Sequence, residues 1–265
     1  MKRAILTFAA LSAVLFAGCR SVPITGRNQL LLTSNAYEQE LGLSSYREST
    51  AANRPTSDTR QQNVLKRIGT AIASVAPEND FQWEFQVLES PEVNAFCLPG
   101  GKVAVYTGIM PKFANEAEMA CVVAHEIGHA IARHGGERMS WGCVDSICSL
   151  GVSAWLGGTA AEIYGIGSQY GVILPFSRKH ENEADLIGLY LMAKAGYEPQ
   201  AAVDFWSRFG GGDSSPLGAF ASTHPSDEER VANMTAHQDE ARGYYAQAAT
   251  KRGYGVKFAN GIPQE

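Results

Sequence analysis

Residues 125–129 read His125-Glu126-Ile127-Gly128-His129 and lie inside a stretch with helical character. Four residues turn an α-helix through about 400°, so the two histidines project from the same face. Their imidazoles can therefore hold one metal ion. Glu126 follows the first histidine and can accept a proton from a water that this metal activates. The spacing is the H-E-x-x-H signature of zinc hydrolases.

The helix that carries this motif has recognisable ends. Asn115 is a favourable N-cap, and Glu118 three residues later completes a pair similar to a capping box. Gly135-Gly136 predict the end of the helix. Between them runs an apolar stripe that predicts a helix buried along one side: Met119, Val122, Val123, Ile127 and Ala130.

Two protein ligands are too few for a zinc site, so a third must lie elsewhere in the chain. A metzincin would place a glycine and a histidine three and six residues after His129. Here those positions hold Ala132 and Gly135, which excludes that subclass. His134 is one residue out of that register, and we interpret it as a residue that supports a ligand or the helix end.

The third ligand is predicted in a second segment, residues 177–185, where an apolar helix begins near Ser177. Glu181 and Asp185 are four residues apart and so lie on one face of that helix. A carboxylate from Glu181 would complete a His-His-Glu zinc site with an open fourth position, and Asp185 could orient a ligating imidazole. Glu183 points about 200° away from Glu181 and is a poor ligand candidate. The alternative interpretation of this segment is a solvated acidic helix face.

The H-E-I-G-H motif followed by S-R-x-x-E-x-E-A-D resembles the HtpX and CAAX-prenyl-protease family of gluzincin metallopeptidases. Weaker matches follow the family order, so that the resemblance spans roughly residues 22–232; they lie at residues 23–27, 93–101, 105–108 and 223–225. The first of these, Pro23-Ile24-Thr25-Gly26-Arg27, is similar to the N-terminal arm of the family's soluble branch. That branch contains bacterial periplasmic lipoproteins and mitochondrial quality-control proteases.

The residues and the resemblance together predict the fold and the activity. We expect an α+β, mostly helical, minimal gluzincin (zincin-like) fold with a small sheet beside the active-site helix. We expect one Zn²⁺ per chain, held by His125, His129 and Glu181, with Glu126 as general base. The resemblance implies an endopeptidase for unfolded or misfolded cell-envelope proteins in protein quality control, with the envelope assembly machinery as a candidate partner.

The late element Thr223-His224-Pro225 leaves two interpretations open. Ser226 can cap a following helix, which would make His224 a structural residue at a helix start. The family resemblance instead implies that His224 lies at the cleft. There it would donate a hydrogen bond to the oxyanion formed during attack, or occupy the fourth zinc position in a resting state.

The first 18 residues are typical of a targeting segment. Lys2-Arg3 are followed by an apolar run that is too short for a membrane helix, and Ala17-Gly18-Cys19 resembles a bacterial lipobox. We predict a signal peptide that is removed before Cys19, with a lipid on that thiol. The resemblance then implies a periplasmic protein anchored to the outer membrane. An ordinary signal peptide or an uncleaved anchor are the alternatives.

Length and composition agree with one enzyme domain. The 265-residue chain carries a formal charge of -5 and 18% charged residues, and it has no basic patch, which argues against a nucleic-acid partner. After the signal peptide at 1–18 we expect an N-terminal arm at 19–57, the zinc metallopeptidase domain at 58–245 and a loose C-terminal tail at 246–265.

Two further segments bear on the cleft. Lys102–Tyr106 predicts a strand, and we expect residues 103–106 to form the sheet edge that receives substrate as an added strand, with an interior strand as the alternative. Residues 141–176 are rich in small residues and predict a mobile helical cover over the cleft. A membrane span is the less favoured alternative, because glycines and Glu162 interrupt the run.

The sequence leaves open whether the remaining cysteines form a disulfide, and it leaves two other functional classes to consider. An oxidising compartment permits a disulfide, with no pairing favoured, among Cys97, Cys121, Cys143 and Cys148. A chaperone-like, metal-binding adaptor of outer-membrane assembly would carry the same motifs with little proteolysis. A purely structural zinc protein needs four protein ligands, and Glu126 beside an open position argues against it.

Overall fold

The computed structural model describes residues 18–77, 79–156, 174–209, 224, 228–253, 256–259 and 261–264. Within these residues the chain is mostly helical with a small sheet, as the sequence predicts. The helices are α1 (Asn35–Ala52), α2 (Thr59–Ala73), α3 (Glu116–Ile131), α4 (His134–Leu156), α5 (Leu174–Lys194), α6 (Gln200–Phe209), α7 (Glu228–Ala236) and α8 (Gln238–Gln247). The strands are β1 (Cys19–Ser21), β2 (Asn28–Leu30), β3 (Glu84–Leu88), β4 (Ala95–Leu98), β5 (Lys102–Tyr106), β6 (Phe258–Ala259) and β7 (Ile262–Pro263).

The main sheet has the strand order β3-β5-β4, with β5 parallel to β3 and antiparallel to β4. The predicted strand β5 is confirmed, but the prediction that residues 103–106 form the edge is wrong. Val103, Ala104 and Val105 are fully buried, and such a continuous apolar run is typical of a strand paired on both sides. Among the described residues the edge strand that packs against α3 is β4.

Helix α3 lies at the centre of the molecule. Its predicted N-cap is confirmed, since Asn115 Oδ1 accepts from the Glu118 backbone N at 3.0 Å. The Glu118 carboxylate accepts from the backbone N of Ala114 at 2.7 Å, so the reciprocal half of the capping box is displaced by one residue. Every residue of α3 except His129 is buried, so the helix is covered all round and not along one side as predicted.

The end of α3 also differs from the prediction. The helix stops at Ile131, and Arg133 takes a left-handed backbone conformation with φ 57°, so Gly135 and Gly136 fall inside α4. This conformation is unusual for a residue other than glycine. Here it is stabilised because the Arg133 guanidinium donates to the Glu38 carboxylate at 2.7 and 3.0 Å.

Helices α3 and α5 approach each other closely at two glycines. A Cβ atom on Gly188 would lie 2.8 Å from the backbone N of His125, and one on Gly128 would lie 3.0 Å from the carbonyl O of Ala184. Helix α5 begins at Leu174, three residues before the predicted start at Ser177. The close crossing brings the face of α5 that carries Glu181 against the motif on α3.

The last twenty residues are not a loose tail where the structure describes them. The backbone N of Arg252 donates to the Gly196 carbonyl at 2.7 Å, and Phe258 packs edge-on against Phe113 with ring centroids 6.5 Å apart. Gln61 Nε2 donates to the Gly261 carbonyl at 3.2 Å. Partial burial of Phe258 against the core opposes the disorder expected from the polar composition of this segment.

The structure describes only part of the predicted cover, residues 141–176. Its first part belongs to α4, while residues 157–173 lie outside the described residues, as do most of the signal peptide and the flanks of His224. Among the described residues, no helix has the length and apolar character needed to cross a bilayer. The structure pairs no cysteines there; the free thiols are Cys19, Cys97, Cys121, Cys143 and Cys148.

We expect Gly188→Ala to destabilise the protein by about 1 to 3 kcal/mol, because the added methyl group meets backbone atoms of α3 that cannot move aside easily. Metal affinity should fall with it, since the two helices carry the candidate ligands. Gly243→Ala in α8 is the matched control, because a Cβ there meets nothing within 4 Å. Chemical denaturation would check this, and equal stability of Gly188→Ala and the control would contradict the account of the crossing.

Candidate metal centre

Four predicted residues meet at the crossing of α3 and α5. His125, His129, Glu181 and His224 each offer one atom such that all four atoms lie within 4.8 Å of one another. The two histidines project from α3 and Glu181 from α5, while His224 belongs to the segment before α7. The structure therefore brings together residues that are up to 99 positions apart in the chain.

The spacing of three of these groups fits a zinc ion. Tetrahedral zinc with bonds of 2.0–2.1 Å requires ligand atoms about 3.3 Å apart. The Nε2 atoms of His125 and His129 are 3.1 Å apart. Glu181 Oε1 lies 3.3 Å from His129 Nε2, and Glu181 Oε2 lies 3.4 Å from His125 Nε2. Two imidazoles and a carboxylate are also the donor types that zinc prefers, so the residues fit this metal.

His224 lies at the fourth corner of the same arrangement. Its Nδ1 atom is 3.2 Å from His125 Nε2 and 2.9 Å from Glu181 Oε2, distances similar to those among the other three groups. Its Nε2 atom is 3.4 Å from Glu126 Oε1. The imidazole thus stands between the candidate metal position and the candidate base. The predicted cap at Ser226 lies outside the described residues.

Glu126 is buried and directed into this centre. Among the described residues its Oε1 atom accepts no hydrogen bond, which is costly for a buried carboxylate and typical of an oxygen reserved for a water or substrate proton. Burial raises the pKa of the Glu126 carboxyl above its usual value. A raised pKa makes the group a better proton acceptor during a reaction near neutral pH.

The charge states of the other groups follow from their surroundings. Burial alone would raise the pKa of Glu181, but hydrogen bonds from His125, His129 and His224 lower it, so this carboxylate stays ionised. Burial lowers the pKa of His129 well below its ordinary value. Burial acts in the same direction on His125, yet the hydrogen bonds and charges of Asp185 and Glu181 together outweigh it and raise its pKa to about 9.

Asp185 lies behind the first histidine. Its Oδ1 atom is 2.9 Å from His125 Nδ1, which leaves Nε2 directed at the centre. Arg230 of α7 donates to both oxygens of Asp185 at 2.6 and 2.7 Å, and its guanidinium stacks 4.1 Å above the Trp206 ring. Sequence reasoning missed Arg230. It stands 45 residues after Asp185 in a charged helix start, where no local pattern marks a buried arginine.

His134 lies behind the second histidine. Its Nδ1 atom is 2.8 Å from His129 Nδ1, and its Nε2 atom is 3.0 Å from Glu183 Oε2. The expectation that Glu183 points away from Glu181 agrees with this position. No local sequence pattern indicates that Glu183 is buried next to Arg27, because the two residues are 156 positions apart in the chain.

Comparison with known proteins agrees with this geometry. The sequence profile of Peptidase family M48 matches residues 59–238. The chain is 34% identical over 232 residues to the mitochondrial metalloendopeptidase OMA1 of Schizosaccharomyces pombe, which covers 86% of this chain and 68% of the relative. It is 40% identical over 171 residues to the mitochondrial metalloendopeptidase OMA1 of Arabidopsis thaliana, and this match covers 64% of this chain and 34% of the relative.

A bacterial relative is more distant. The β-barrel assembly-enhancing protease of Escherichia coli is 28% identical over 197 residues, which covers 70% of this chain and 40% of that protein. The expected place in a bacterial lipoprotein branch is therefore not established, since these mitochondrial relatives are more similar to the chain than this bacterial one. The match over residues 59–238 and the similarity to several metalloendopeptidases place the chain in peptidase family M48, and it is a metallopeptidase.

Proposed function

We propose that this metallopeptidase is a zinc-dependent endopeptidase in which His125, His129 and Glu181 hold the metal and Glu126 is the general base. One observation carries the proposal: the Nε2 atoms of His125 and His129 are separated from each other and from the carboxylate oxygens of Glu181 by 3.1 to 3.4 Å, close to the edge of a zinc tetrahedron, and the buried Glu126 carboxylate is directed at the same point. Among the described residues the Oε1 atom of Glu126 accepts no hydrogen bond, so it is available for a water proton. The resulting fold would be a minimal gluzincin.

The chemistry divides between the metal and the chain. Zinc, when bound, acts as a Lewis acid that lowers the pKa of a water and polarises a peptide carbonyl. Glu126 accepts the proton of the attacking water and then delivers it to the leaving amine nitrogen. Asp185 keeps the proton of His125 on Nδ1, so that Nε2 offers its lone pair to the metal. Arg230 compensates the buried charge of Asp185.

An extended polypeptide fits the edge of the main sheet. Strand β4 pairs with β5 on one side and packs against α3. Burial raises the pKa of the Cys97 thiol on this strand well above its usual value, and the charge of the Glu126 carboxylate adds to this rise. A substrate strand added to β4 would therefore pass close to the base and the metal. Unfolded or damaged proteins, which expose such segments, are the proposed substrate class, with protein quality control as the role.

His224 is proposed as a displaceable fourth ligand that keeps the enzyme latent. Its Nδ1 atom occupies the corner where a water must bind, and its Nε2 atom faces Glu126. A substrate that displaces the His224 imidazole would free both positions. The alternative role, a hydrogen bond to the oxyanion, requires the imidazole to move off this corner.

We also propose that the mature chain begins at a lipidated Cys19 and works at the outer membrane, facing the periplasm. The lipobox-like Ala17-Gly18-Cys19 supports this, and the Cys19 thiol is exposed at the start of β1. A Cys19→Ser protein that is still processed and sediments with membranes like the wild type would contradict it.

Substitution of a proposed ligand and substitution of the proposed base should remove different properties, zinc binding in the first case and turnover in the second. We expect His125→Ala, His129→Ala and Glu181→Ala to lose bound zinc, whereas Glu126→Gln keeps zinc and loses turnover, because ligands hold the ion and the base only moves protons. Metal analysis and cleavage of an unfolded polypeptide would check both, with the exposed Glu48→Gln as control. Full zinc content in Glu181→Ala would remove it from the ligand set. Equal cleavage by wild type and Glu126→Gln would favour the chaperone-like adaptor.

The latent state predicts a gain of activity. We expect His224→Ala to keep its zinc and to raise basal cleavage of a short peptide at least about tenfold, because the fourth position is no longer occupied. His237→Ala is the control, since this histidine contacts the Asn233 carbonyl at the junction of α7 and α8. A fall of about 10² to 10³ in turnover would instead identify an oxyanion donor. Unchanged kinetics would return His224 to a structural role.

A further inference from the structure

We propose that the turn at residues 22–27 of the N-terminal arm positions the zinc ligand His129 through a chain of hydrogen bonds. We call this chain the arm relay: Thr25 and Arg27 hold Glu183, Glu183 holds His134, and His134 holds His129. The inference rests on the proposed zinc site. It assigns a task to a segment that lies outside the part of the chain matched by the family profile, residues 59–238.

The turn is built to present two side chains to one carboxylate. The backbone N of Val22 donates to the Arg27 carbonyl at 2.8 Å, which closes the turn. Gly26 has φ 70°, and Ile24 has φ 73°, a conformation that is a genuine outlier for a β-branched residue. Such strain persists where the surrounding structure fixes it, and it clusters at functional positions.

Glu183 receives both of these side chains. Arg27 Nε donates to Glu183 Oε2 at 2.7 Å, and Thr25 Oγ1 donates to Glu183 Oε1 at 2.5 Å. The side chain of Glu183 is only 6% exposed, so its charge depends on these donors. The remaining nitrogens of Arg27 donate to the Glu137 carboxylate of α4 at 2.6 and 2.9 Å. One guanidinium therefore joins the arm to both α4 and α5.

Glu183 then sets the proton positions on two histidines. His129 must carry its proton on Nδ1 if Nε2 is to bind a metal. That proton points at His134 Nδ1, 2.8 Å away, which must therefore accept it. His134 consequently carries its own proton on Nε2 and donates it to Glu183 Oε2 at 3.0 Å. In the other neutral tautomer of His134, its Nδ1–H group would face the Nδ1–H group of His129, and Glu183 would lose the hydrogen bond from His134 Nε2.

The surroundings hold His134 in place for this task. Its side chain is fully buried and stacks on the His180 ring, with centroids 4.0 Å apart and planes inclined by 15°. The Nε2 atom of His180 contacts the same Glu137 carboxylate that binds Arg27, at 3.0 Å. Because every group in this cluster has a fixed partner, loss of Arg27 would loosen His134 from two sides. Arg27, Glu183 and His134 are thus positioning residues.

Zinc affinity tests the arm relay without relying on turnover. Competition against a chromogenic chelator would be measured for full-length Arg27→Gln, Glu183→Gln and Thr25→Val. We expect zinc to be held about 10- to 100-fold more weakly in the first two variants and less weakened in the third, which loses one hydroxyl. Arg54→Gln is the matched control from the same arm, because its ion pair with Glu89 lies on the surface with the arginine 82% exposed.

The outcomes separate the relay from the site itself. Arg27→Gln and Glu183→Gln proteins that fold and bind zinc within twofold of the wild type, while His129→Ala loses it, would overturn the relay alone. Zinc retained by His129→Ala would overturn the proposed site. A second measurement needs no variant: nitrogen-15 spectra of histidine in the zinc-loaded wild type should show His129 protonated at Nδ1 and His134 at Nε2. Protonation of His134 at Nδ1 would overturn the relay.

Discussion

The close crossing of α3 and α5 is the constraint on which the candidate site depends. Gly128 and Gly188 let the two backbones approach until a single added carbon would meet main-chain atoms of the opposite helix. Only at this separation can a carboxylate from α5 reach the two imidazoles of α3 at distances that suit one zinc ion. The glycine inside the H-E-I-G-H motif thus allows this packing, beside the chemical roles proposed for its neighbours.

This arrangement buries two carboxylates behind the histidines of α3, and an arginine compensates each of them. Behind His125, the Asp185 carboxylate is neutralised by Arg230 of α7. Behind His129, Glu183 is neutralised by Arg27 of the N-terminal arm. Both candidate ligands are therefore backed, on the side away from the centre, by residues that are paired with parts of the chain remote in sequence. A buried carboxylate without such a partner would be protonated or would open the core.

Much of the site is predictable because helical periodicity is local. The spacing of His125 and His129, and the shared face of Glu181 and Asp185, follow from 3.6 residues per turn. The arginines that complete the site have no such signature, since Arg27 meets Glu183 across 156 residues and this contact exists only in the folded chain. The two wrong predictions nearest the cleft, for the position of β5 and the end of α3, also depend on tertiary contacts. Strand β5 is interior because β4 folds back onto it, and α3 ends early because Arg133 is held by Glu38.

The central claim is that α3 and α5 together hold one zinc ion through His125, His129 and Glu181. The most direct measurement is an anomalous difference map at the zinc absorption edge from crystals of the zinc-loaded protein. The account predicts one peak about 2.0 to 2.2 Å from the Nε2 atoms of both histidines and from a Glu181 oxygen. A peak at any other donor set, or one that Glu181 does not contact, would contradict it.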